Sequence, residues 1–169
     1  MTRFSKFSIQ NKLTYQGGHI ARPYFISDTH GGIVLTDYLN VKFSEENIAA
    51  MSNLGLAHIG DCVYELLVRT WLCGQGHGRS SELHRLTVKM VAAPAQAEAM
   101  EKLMPLLSAE ELDIYRRGRN TRVNSVPHAA SLAEYHAATG LEMLFGRLYL
   151  EGKHERINEL FSVIIKEDA

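Results

Sequence analysis

The chain has 169 residues, of which 46% are hydrophobic and 22% are charged, and its formal net charge is −1. This composition is typical of a soluble globular protein, and the sequence has no apolar run near the about 20 residues that span a membrane. Because the net charge is close to zero, affinity for an anionic partner must come from a local patch. Cys62 and Cys73 lie about three turns apart on one helical pattern, too far for a disulfide. We therefore expect a reduced, cytoplasmic protein.

Residues 1–36 differ from the rest of the chain. They contain two Gly-Gly pairs, and the first 27 residues include four Lys or Arg but no acid. An acid-poor start is found in organellar transit peptides, in flexible tails and in translated sequence upstream of a natural start, and we favour the last two. Residues 1–36 are therefore predicted to be a flexible extension, and residues 37–169 to be one domain.

From Asp37 onward the sequence has helical periodicity, and no strand pattern competes with it after residue 44. The predicted boundaries are a Ser cap at Ser44, a stop at Gly74, a Ser cap before "ELHRLTVKMV", a start or break at Pro94, a capping box at Ser108–Glu111 and an end near Gly152. These signals predict an all-α domain of about six or seven helices.

The segment "HIGDCVYELLVR" places Asp61 and Glu65 one turn apart on an otherwise apolar helix. Carboxylates are rarely buried without a partner. Gly60 precedes Asp61, and a helical Gly is unfavourable by up to about 1 kcal/mol unless close packing compensates. Asp61 is therefore either a ligand-binding acid or a structural one, paired with a buried Arg or capping another helix.

Glu142 lies in "EYHAATGLEMLFGRLYL", at the edge of an apolar helix surface and between two glycines. If this helix faces that of Asp61, the two carboxylates could share a divalent cation. Their hard oxygen atoms favour Mg²⁺, which keeps several waters and binds substrate phosphates. The structural alternative is a buried ion pair of Glu142 with Arg147 or Arg85.

The stretch "RRGRNTRVNSVP" concentrates positive charge around Gly118. The guanidinium of Arg binds two phosphate oxygens at once, so a dense Arg cluster favours binding of a phosphate backbone. The pattern predicts an exposed loop, and the alternative is a solvated basic loop without a ligand. The candidate residues for binding a phosphate backbone are Arg116, Arg117, Arg119, Asn120 and Arg122.

The segments "LGLAHIGDCVYELLVR", "ELHRLTVKMV", "AQAEAM", "RRGRN", "VPHAASLAEYHAATGLEMLFGRLYL" and "RINEL" occur in the order found in Mini-III ribonucleases. These are compact relatives of ribonuclease III without a double-stranded-RNA-binding domain. The chain resembles them over about residues 37–169, whereas residues 1–36 have no counterpart.

This resemblance implies an all-α homodimer of the ribonuclease III-like endonuclease fold. Asp61 and Glu142 would be the catalytic and metal-binding acids, with Mg²⁺ as cofactor. The implied reaction cleaves double-stranded RNA to 5′-phosphate and 3′-hydroxyl ends. The implied substrate is the stalk of precursor 23S ribosomal RNA, with a ribosomal protein as a possible helper.

The larger ribonuclease III enzymes carry a further acid one turn before each of these two, where this chain has Ala57 and Thr139. The resemblance therefore implies a thinner metal site. Two other classes stay open on the residues alone. One is a non-catalytic RNA-binding helical dimer, which would need neither acid. The other is an all-α nucleotide pyrophosphohydrolase, whose helices usually carry several acids in sets.

Overall fold

The computed structural model describes residue 37, residues 39–122 and residues 130–166. These residues form seven α-helices, one short 3-10 turn and no strand, which confirms the all-α prediction. The helices are α1 (Glu45–Ala49), α2 (Asn53–Gly74), α3 (Ser80–Val91), α4 (Ala93–Leu103), α5 (Ala109–Arg119), α6 (Leu132–Leu150) and α7 (His154–Ile164), and the 3-10 turn is Met104–Leu106.

Most helix starts follow from capping side chains. The hydroxyl of Ser44 accepts a bond from the amide of Asn47, as predicted, and Ser108 and Glu111 form the predicted capping box. The prediction of a Ser cap for α3 is wrong. Both serines lie inside that helix, and its N-cap is Arg79, whose side chain makes no capping bond.

The centre of the domain is α6, which packs against α2, α4 and α5. Its residues Leu141, Met143, Leu144 and Phe145 have no exposed surface. A helix that is apolar on most sides must be covered on most sides, and α6 is therefore the core around which the others pack. The α2 side chain of Tyr64 meets Phe145 edge to face, with ring centroids 5.6 Å apart.

Helices α2 and α6 touch backbone to backbone at Gly60 and Gly146. A Cβ atom added at Gly60 would lie 2.7 Å from the amide nitrogen of Gly146 and would overlap the carbonyl oxygen of Glu142. Only glycine permits this approach, and the close packing compensates for the poor helix propensity of Gly60. The contact brings the backbones at Asp61 and Glu142 together.

Three further predictions concern the cysteines, membrane spans and the N-terminal segment. Cys62 and Cys73 are free, as expected. No described helix is both long and apolar enough to cross a membrane. The predicted flexible extension, residues 1–36, lies outside the described residues, so it stays a prediction.

Candidate active site

Asp61 lies on the exposed side of α2, directly after the glycine that touches α6. Partial burial raises the pKa of its carboxyl above the ordinary value, and the negative charge of Glu65 raises it further, while His58 lowers it. Both main causes oppose ionisation. Asp61 is therefore a carboxyl group that would gain from a nearby positive charge.

Glu142 lies on α6 and is mostly enclosed by the protein. Burial and then the charge of Asp61 raise the pKa of its carboxyl to about 7, although a hydrogen bond from the Gln96 side chain acts in the opposite direction. The residue before Asp61, Gly60, touches the backbone of Glu142, and the two acids therefore lie on adjoining parts of α2 and α6. The structure thus brings together the two acids that the sequence indicated.

The ion pairs that the sequence allowed for these acids are not seen among the described residues. Arg147, a predicted partner of Glu142, instead binds Glu151 on its own helix and Glu45 on α1. The other predicted partner, Arg85, is exposed on α3. Within the part of the chain that the structure describes, neither Asp61 nor Glu142 has an ion pair with Lys or Arg. Within the described ranges, the two acids therefore form a negative site without a Lys or Arg partner.

Glu65 has its own partner. Its carboxylate accepts hydrogen bonds from the guanidinium of Arg69, one turn further along α2. Its charge still raises the pKa of Asp61. Glu65 therefore belongs to the electrostatic surroundings of the site, with its oxygen already bonded elsewhere.

At the two positions where the larger ribonuclease III enzymes carry further acids, this chain has Ala57 and Thr139. Ala57 is buried, and the buried hydroxyl of Thr139 donates to the carbonyl oxygen of Tyr135 at 3.0 Å. Among the described residues, no group of three or more His, Cys, Asp or Glu is placed to hold a metal ion. The resemblance implied a metal site with few protein ligands, and that stays a prediction.

Two carboxylates nevertheless fit Mg²⁺. This ion is usually held by one or two carboxylates, several waters and the phosphates of a substrate. Burial without a compensating cation destabilises both ionised carboxylates, and a cation would remove that penalty. The donors are oxygen atoms only, which suits a hard cation.

Gln96 is a residue of this site that the sequence analysis did not single out. It lies in the first turns of α4, is 1% exposed, and its amide acts on Glu142. Its position shares a helical stripe with the buried residues Ala99, Met100 and Leu103. A polar residue on that apolar stripe was the signal available in the sequence.

The predicted basic loop begins inside a helix, so the prediction is wrong for residues 116–119, while residues 123–127 lie outside the described residues. Helix α5 continues through Gly118 to Arg119. Gly118 is a packing residue, because a Cβ there would lie 2.9 Å from the Cα of Gly140 on α6. The Arg side chains therefore project from the last turn of a helix that is packed tightly on α6.

The predicted RNA-binding side chains share an exposed surface, which we call the Arg surface; its members are Arg116, Arg117, Arg119, Asn120 and Arg122. Arg117 lies 4.0 Å from Asp113 on the same helix. Asn53 at the start of α2 donates to the hydroxyl of Thr121 at 3.0 Å and ties the segment down. Positive charges near a helix C-terminus are stabilised by the helix dipole, and this gives a structural reason for the Arg residues at the end of α5.

Comparison with known proteins agrees over the same region. The Ribonuclease III domain model matches residues 54–153. The chain is 42% identical over 123 residues to the Mini-ribonuclease 3 of Thermoanaerobacter sp. (strain X514), covering 73% of this chain and 87% of that protein. It is 44% identical over 114 residues to the Mini-ribonuclease 3 of Symbiobacterium thermophilum, covering 68% of this chain and 88% of that protein.

A solved structure shows the same fold. The chain is similar to the crystal structure of a protein from Fusobacterium nucleatum, with a TM-score of 0.64 and 29% sequence identity. The similarity covers 70% of this chain and 95% of that one. The chain belongs to the ribonuclease III family of endoribonucleases, and its similarity to Mini-ribonucleases 3 extends over most of its length.

Proposed function

We propose that this endoribonuclease cleaves double-stranded RNA with Mg²⁺ held between Asp61 and Glu142. One observation carries the proposal: two neighbouring carboxyls with raised pKa values, and no Lys or Arg paired with either among the described residues. Enzymes of this family generally depend on a divalent metal. The choice of Mg²⁺ rests on the oxygen donors and on the small number of protein ligands.

Asp61 and Glu142 would have complementary roles. Asp61 is exposed on α2 and would face incoming RNA, whereas Glu142 on α6 is half-buried. A bound Mg²⁺ would neutralise the scissile phosphate and lower the pKa of the attacking water. The water oxygen forms a bond to phosphorus as the bond to the 3′ oxygen breaks. A proton passes to that oxygen, and the products are a 5′-phosphate and a 3′-hydroxyl.

The Arg surface would hold the duplex. Double-helical RNA is recognised mainly through its shape, its 2′-hydroxyls and its phosphates. Exposed guanidiniums suit phosphates because each presents a planar fork of donors. The Arg surface and Glu142 both depend on α6, since α5 packs on α6 at Gly118 and Gly140. RNA bound along α5 would therefore be held by a helix that packs on the same central helix as the acid-bearing α2.

We also propose a homodimer. An apolar groove on the outer side of α2 includes Ile59, Cys62, Val63 and Leu66, and Leu66 is 57% exposed. Exposed apolar patches of this kind are typical of protein interfaces. A second copy of the chain fits this groove best, because the resemblance implies a dimer and a duplex needs one site per strand. The occupant would cover the helix that carries Asp61.

The proposed substrate is the double-stranded stalk of precursor 23S ribosomal RNA, cut in the cytoplasm with a ribosomal protein as a helper. This follows from the resemblance to Mini-III ribonucleases. The Arg surface supports it, because its donors suit phosphates and present no apparent code for bases. Residues 37–169 would form the catalytic domain and residues 1–36 an extension to it.

The test compares wild type with Asp61→Asn and Glu142→Gln, which keep the size of each side chain but remove its charge. Each variant should fold, bind a labelled RNA duplex, and lose cleavage by at least about two orders of magnitude. Wild type should cut only when Mg²⁺ is present. Cleavage by Asp61→Asn at the wild-type rate would show that Asp61 is structural and would overturn the proposal.

The same experiment separates the other function classes. A non-catalytic RNA-binding dimer would bind the duplex without cutting it at any Mg²⁺ concentration. A nucleotide pyrophosphohydrolase would release pyrophosphate from nucleoside triphosphates and leave the duplex intact. Apart from the Asp61–Glu65 pair, the helices lack the sets of acids usual in that class, which favours the ribonuclease.

A further inference from the structure

The first residue of α2, Asn53, makes side-chain hydrogen bonds to the end of α5. Its Nδ2 donates to the hydroxyl oxygen of Thr121 at 3.0 Å and, at 3.5 Å, to the carbonyl oxygen of Arg117. Thr121 comes 68 positions after Asn53 in the sequence, so the bond joins two distant elements. We call Asn53 and Thr121, with the bond between them, the α2–α5 link.

Asn53 is not needed to begin its own helix. The hydroxyl of Ser52 caps α2 by accepting a bond from the amide of Gly55 at 3.0 Å. The free backbone groups at a helix N-terminus are N–H donors, which need acceptors. Asn53 donates from its side chain, so its bonds to α5 satisfy no backbone group at the start of α2.

Helix α5 can also end without Asn53. The hydroxyl of Thr121 donates to the carbonyl oxygen of Arg117 at 2.8 Å, and its backbone amide donates to the carbonyl oxygen of Gly118 at 3.0 Å. These bonds occupy carbonyl groups of the last turn, which a helix C-terminus otherwise leaves free. The bond from Asn53 therefore adds a fixed position of this end of α5 relative to α2.

The α2–α5 link joins the Arg surface to the helix that carries Asp61. Thr121 lies between Arg119 and Arg122, and Asn53 lies on the same continuous helix as Asp61. The rise of an α-helix places these two α2 residues about 12 Å apart along its axis. The glycine contact between α5 and α6 comes earlier in α5, so the link holds the part of the Arg surface that follows that contact.

We propose that Asn53 and Thr121 are positioning residues that hold the Arg surface in a fixed place relative to α2 for the binding of double-stranded RNA. This inference rests on the proposed function, because it requires the Arg surface to bind RNA. Binding is stronger when the binding groups are ordered beforehand, since less conformational entropy is lost. Loss of the link should therefore weaken RNA binding although no charge is removed from the protein.

The experiment measures the affinity of the whole chain for a labelled RNA duplex at several salt concentrations. Asn53→Ala and Thr121→Val each remove the link, and each should weaken binding by roughly threefold to tenfold. Their plots of log affinity against log salt should run parallel to that of wild type, because the number of phosphate contacts is unchanged. In cleavage assays with Mg²⁺, KM for the duplex should rise in the same proportion, and kcat should stay that of wild type.

Two further variants show whether the two side chains act through one bond. The double variant, Asn53→Ala with Thr121→Val, should bind about as weakly as the weaker of the single variants, since each single change already removes the link. Thr121→Ser keeps a hydroxyl at this position, so it should bind the duplex as wild type does.

The matched controls break bonds of the same kinds elsewhere. Asn40→Ala removes a bond from a side-chain amide, which Asn40 donates to Asp37 at 2.8 Å. Ser162→Ala removes a hydroxyl bond to the carbonyl oxygen four residues earlier on α7, as Thr121 makes on α5. Both controls should bind and cut RNA as wild type does. Thermal unfolding followed by circular dichroism should show that every variant is folded.

Three results would overturn the inference. The first is wild-type affinity in both single variants. The second is a double variant whose loss of affinity equals the product of the single losses, which would mean that the side chains act separately. The third is a flatter salt dependence in the single variants, which would mean that phosphate contacts are lost. Wild type that neither binds nor cuts the duplex would refute the proposed function as well, whereas wild type that cuts beside unaffected variants would refute only the role of the link.

Discussion

At the scale of single residues, the protein places two carboxyl groups, those of Asp61 and Glu142, where ionisation is unfavourable. Glu142 is buried beside another acid, and both effects oppose its ionisation. A buried charge without a partner destabilises the folded state. In the metal-free protein, Glu142 therefore holds a proton up to near neutral pH, and the folded state is stabilised by that proton.

The metal-free protein should lose stability as the pH rises from about 4.5 to about 7. Below the ordinary glutamate pKa of 4.5, Glu142 is protonated in both the folded and the unfolded chain, so its stabilising contribution is complete. As the pH rises to about 7, the unfolded chain releases this proton but the folded chain keeps it. The loss amounts to at most about 3 kcal/mol. Urea unfolding in the presence of a chelator, at one protein concentration, measures it.

The control for this prediction is Glu142→Gln, which should show a flatter dependence of unfolding free energy on pH. Some dependence in the same direction will remain, because the pKa of Asp61 is also raised. Parallel pH profiles for wild type and Glu142→Gln would contradict the prediction. Added Mg²⁺ should stabilise wild type most at high pH, where the carboxylates bind without releasing protons.

The sequence identified both acids but could not reveal their surroundings. A lone Asp or Glu on an apolar helix is visible in a sequence because it breaks a periodic pattern. The facing of α2 and α6, and the position of Gln96 between α3, α4 and α6, depend on contacts between distant segments. Such contacts have no local pattern, so the resemblance supplied the pairing and the structure supplied Gln96.

At the scale of the elements, the crossing of α2 and α6 determines the separation of the two acids. No side chain lies between the helices at Gly60 and Gly146, because each glycine faces the backbone of the other helix. The carbonyl oxygen of Glu142 is itself part of this contact. A change at the crossing therefore alters both the packing of the core and the geometry of the site.

Gly60→Ala should destabilise the protein by about 3 kcal/mol or more, since the added Cβ overlaps the backbone of α6 and nothing flexible can move aside. Cleavage should fall as well, because relief of the overlap displaces Glu142. The matched control is Gly74→Ala, at the end of the same helix, where an added Cβ meets nothing within 4 Å. Denaturation midpoints of the two variants measure the difference, and equal midpoints would contradict it.

The Arg surface gives a second prediction at this scale. If Arg119 and Arg122 contact phosphates, replacing both with Ala should reduce the slope of log affinity against log salt by about 2, on the order of 1 for each contact. Both side chains are exposed, so stability should change little. Binding of labelled duplexes at several salt concentrations gives the slope. Unchanged slope and affinity would mean that the Arg surface is only solvated.

Glu142→Gln is the control for that measurement, because a residue that acts at the chemical step should leave the salt slope as it is. The structure of the Arg surface was predicted wrongly because Gly118 was interpreted as a helix breaker. A glycine within a helix is also used where two backbones approach closely, and at Gly118 that second reason applies. One sequence cannot distinguish the two uses, since the partner, Gly140, lies on another helix.

At the scale of the whole molecule, the outer side of α2 carries exposed apolar side chains. Leu66 and Cys62 are exposed on the helix that carries Asp61, and the groove continues to Ile157 on α7. The two faces of α2 therefore have different partners, with α6 on the inner face and the proposed second copy on the outer one. The dimer would stiffen the helix that carries Asp61.

Leu66→Glu should convert the protein to a monomer, because it places a charge in the proposed interface, where it would lose hydration. Light scattering after size-exclusion chromatography measures the mass. The matched control is Leu132→Glu on α6, since Leu132 is 58% exposed and Leu66 is 57% exposed, but Leu132 does not line the groove. Equal masses for the two variants would show that the second copy binds elsewhere or that none is present.

The glycine contact between α5 and α6 has a consequence for where the RNA is cut. Arg119 follows Gly118 directly on α5, and Glu142 comes two residues after Gly140 on α6. A Cβ atom added at Gly118 would lie 2.9 Å from the Cα of Gly140, and one added at Gly140 would lie 2.5 Å from the ring of Tyr115 on α5, so the two helices pack closely there. If RNA is held on α5, this packing would set the distance between the held phosphate and the bond broken beside α6. The cut would then be expected at a constant distance from the held phosphate.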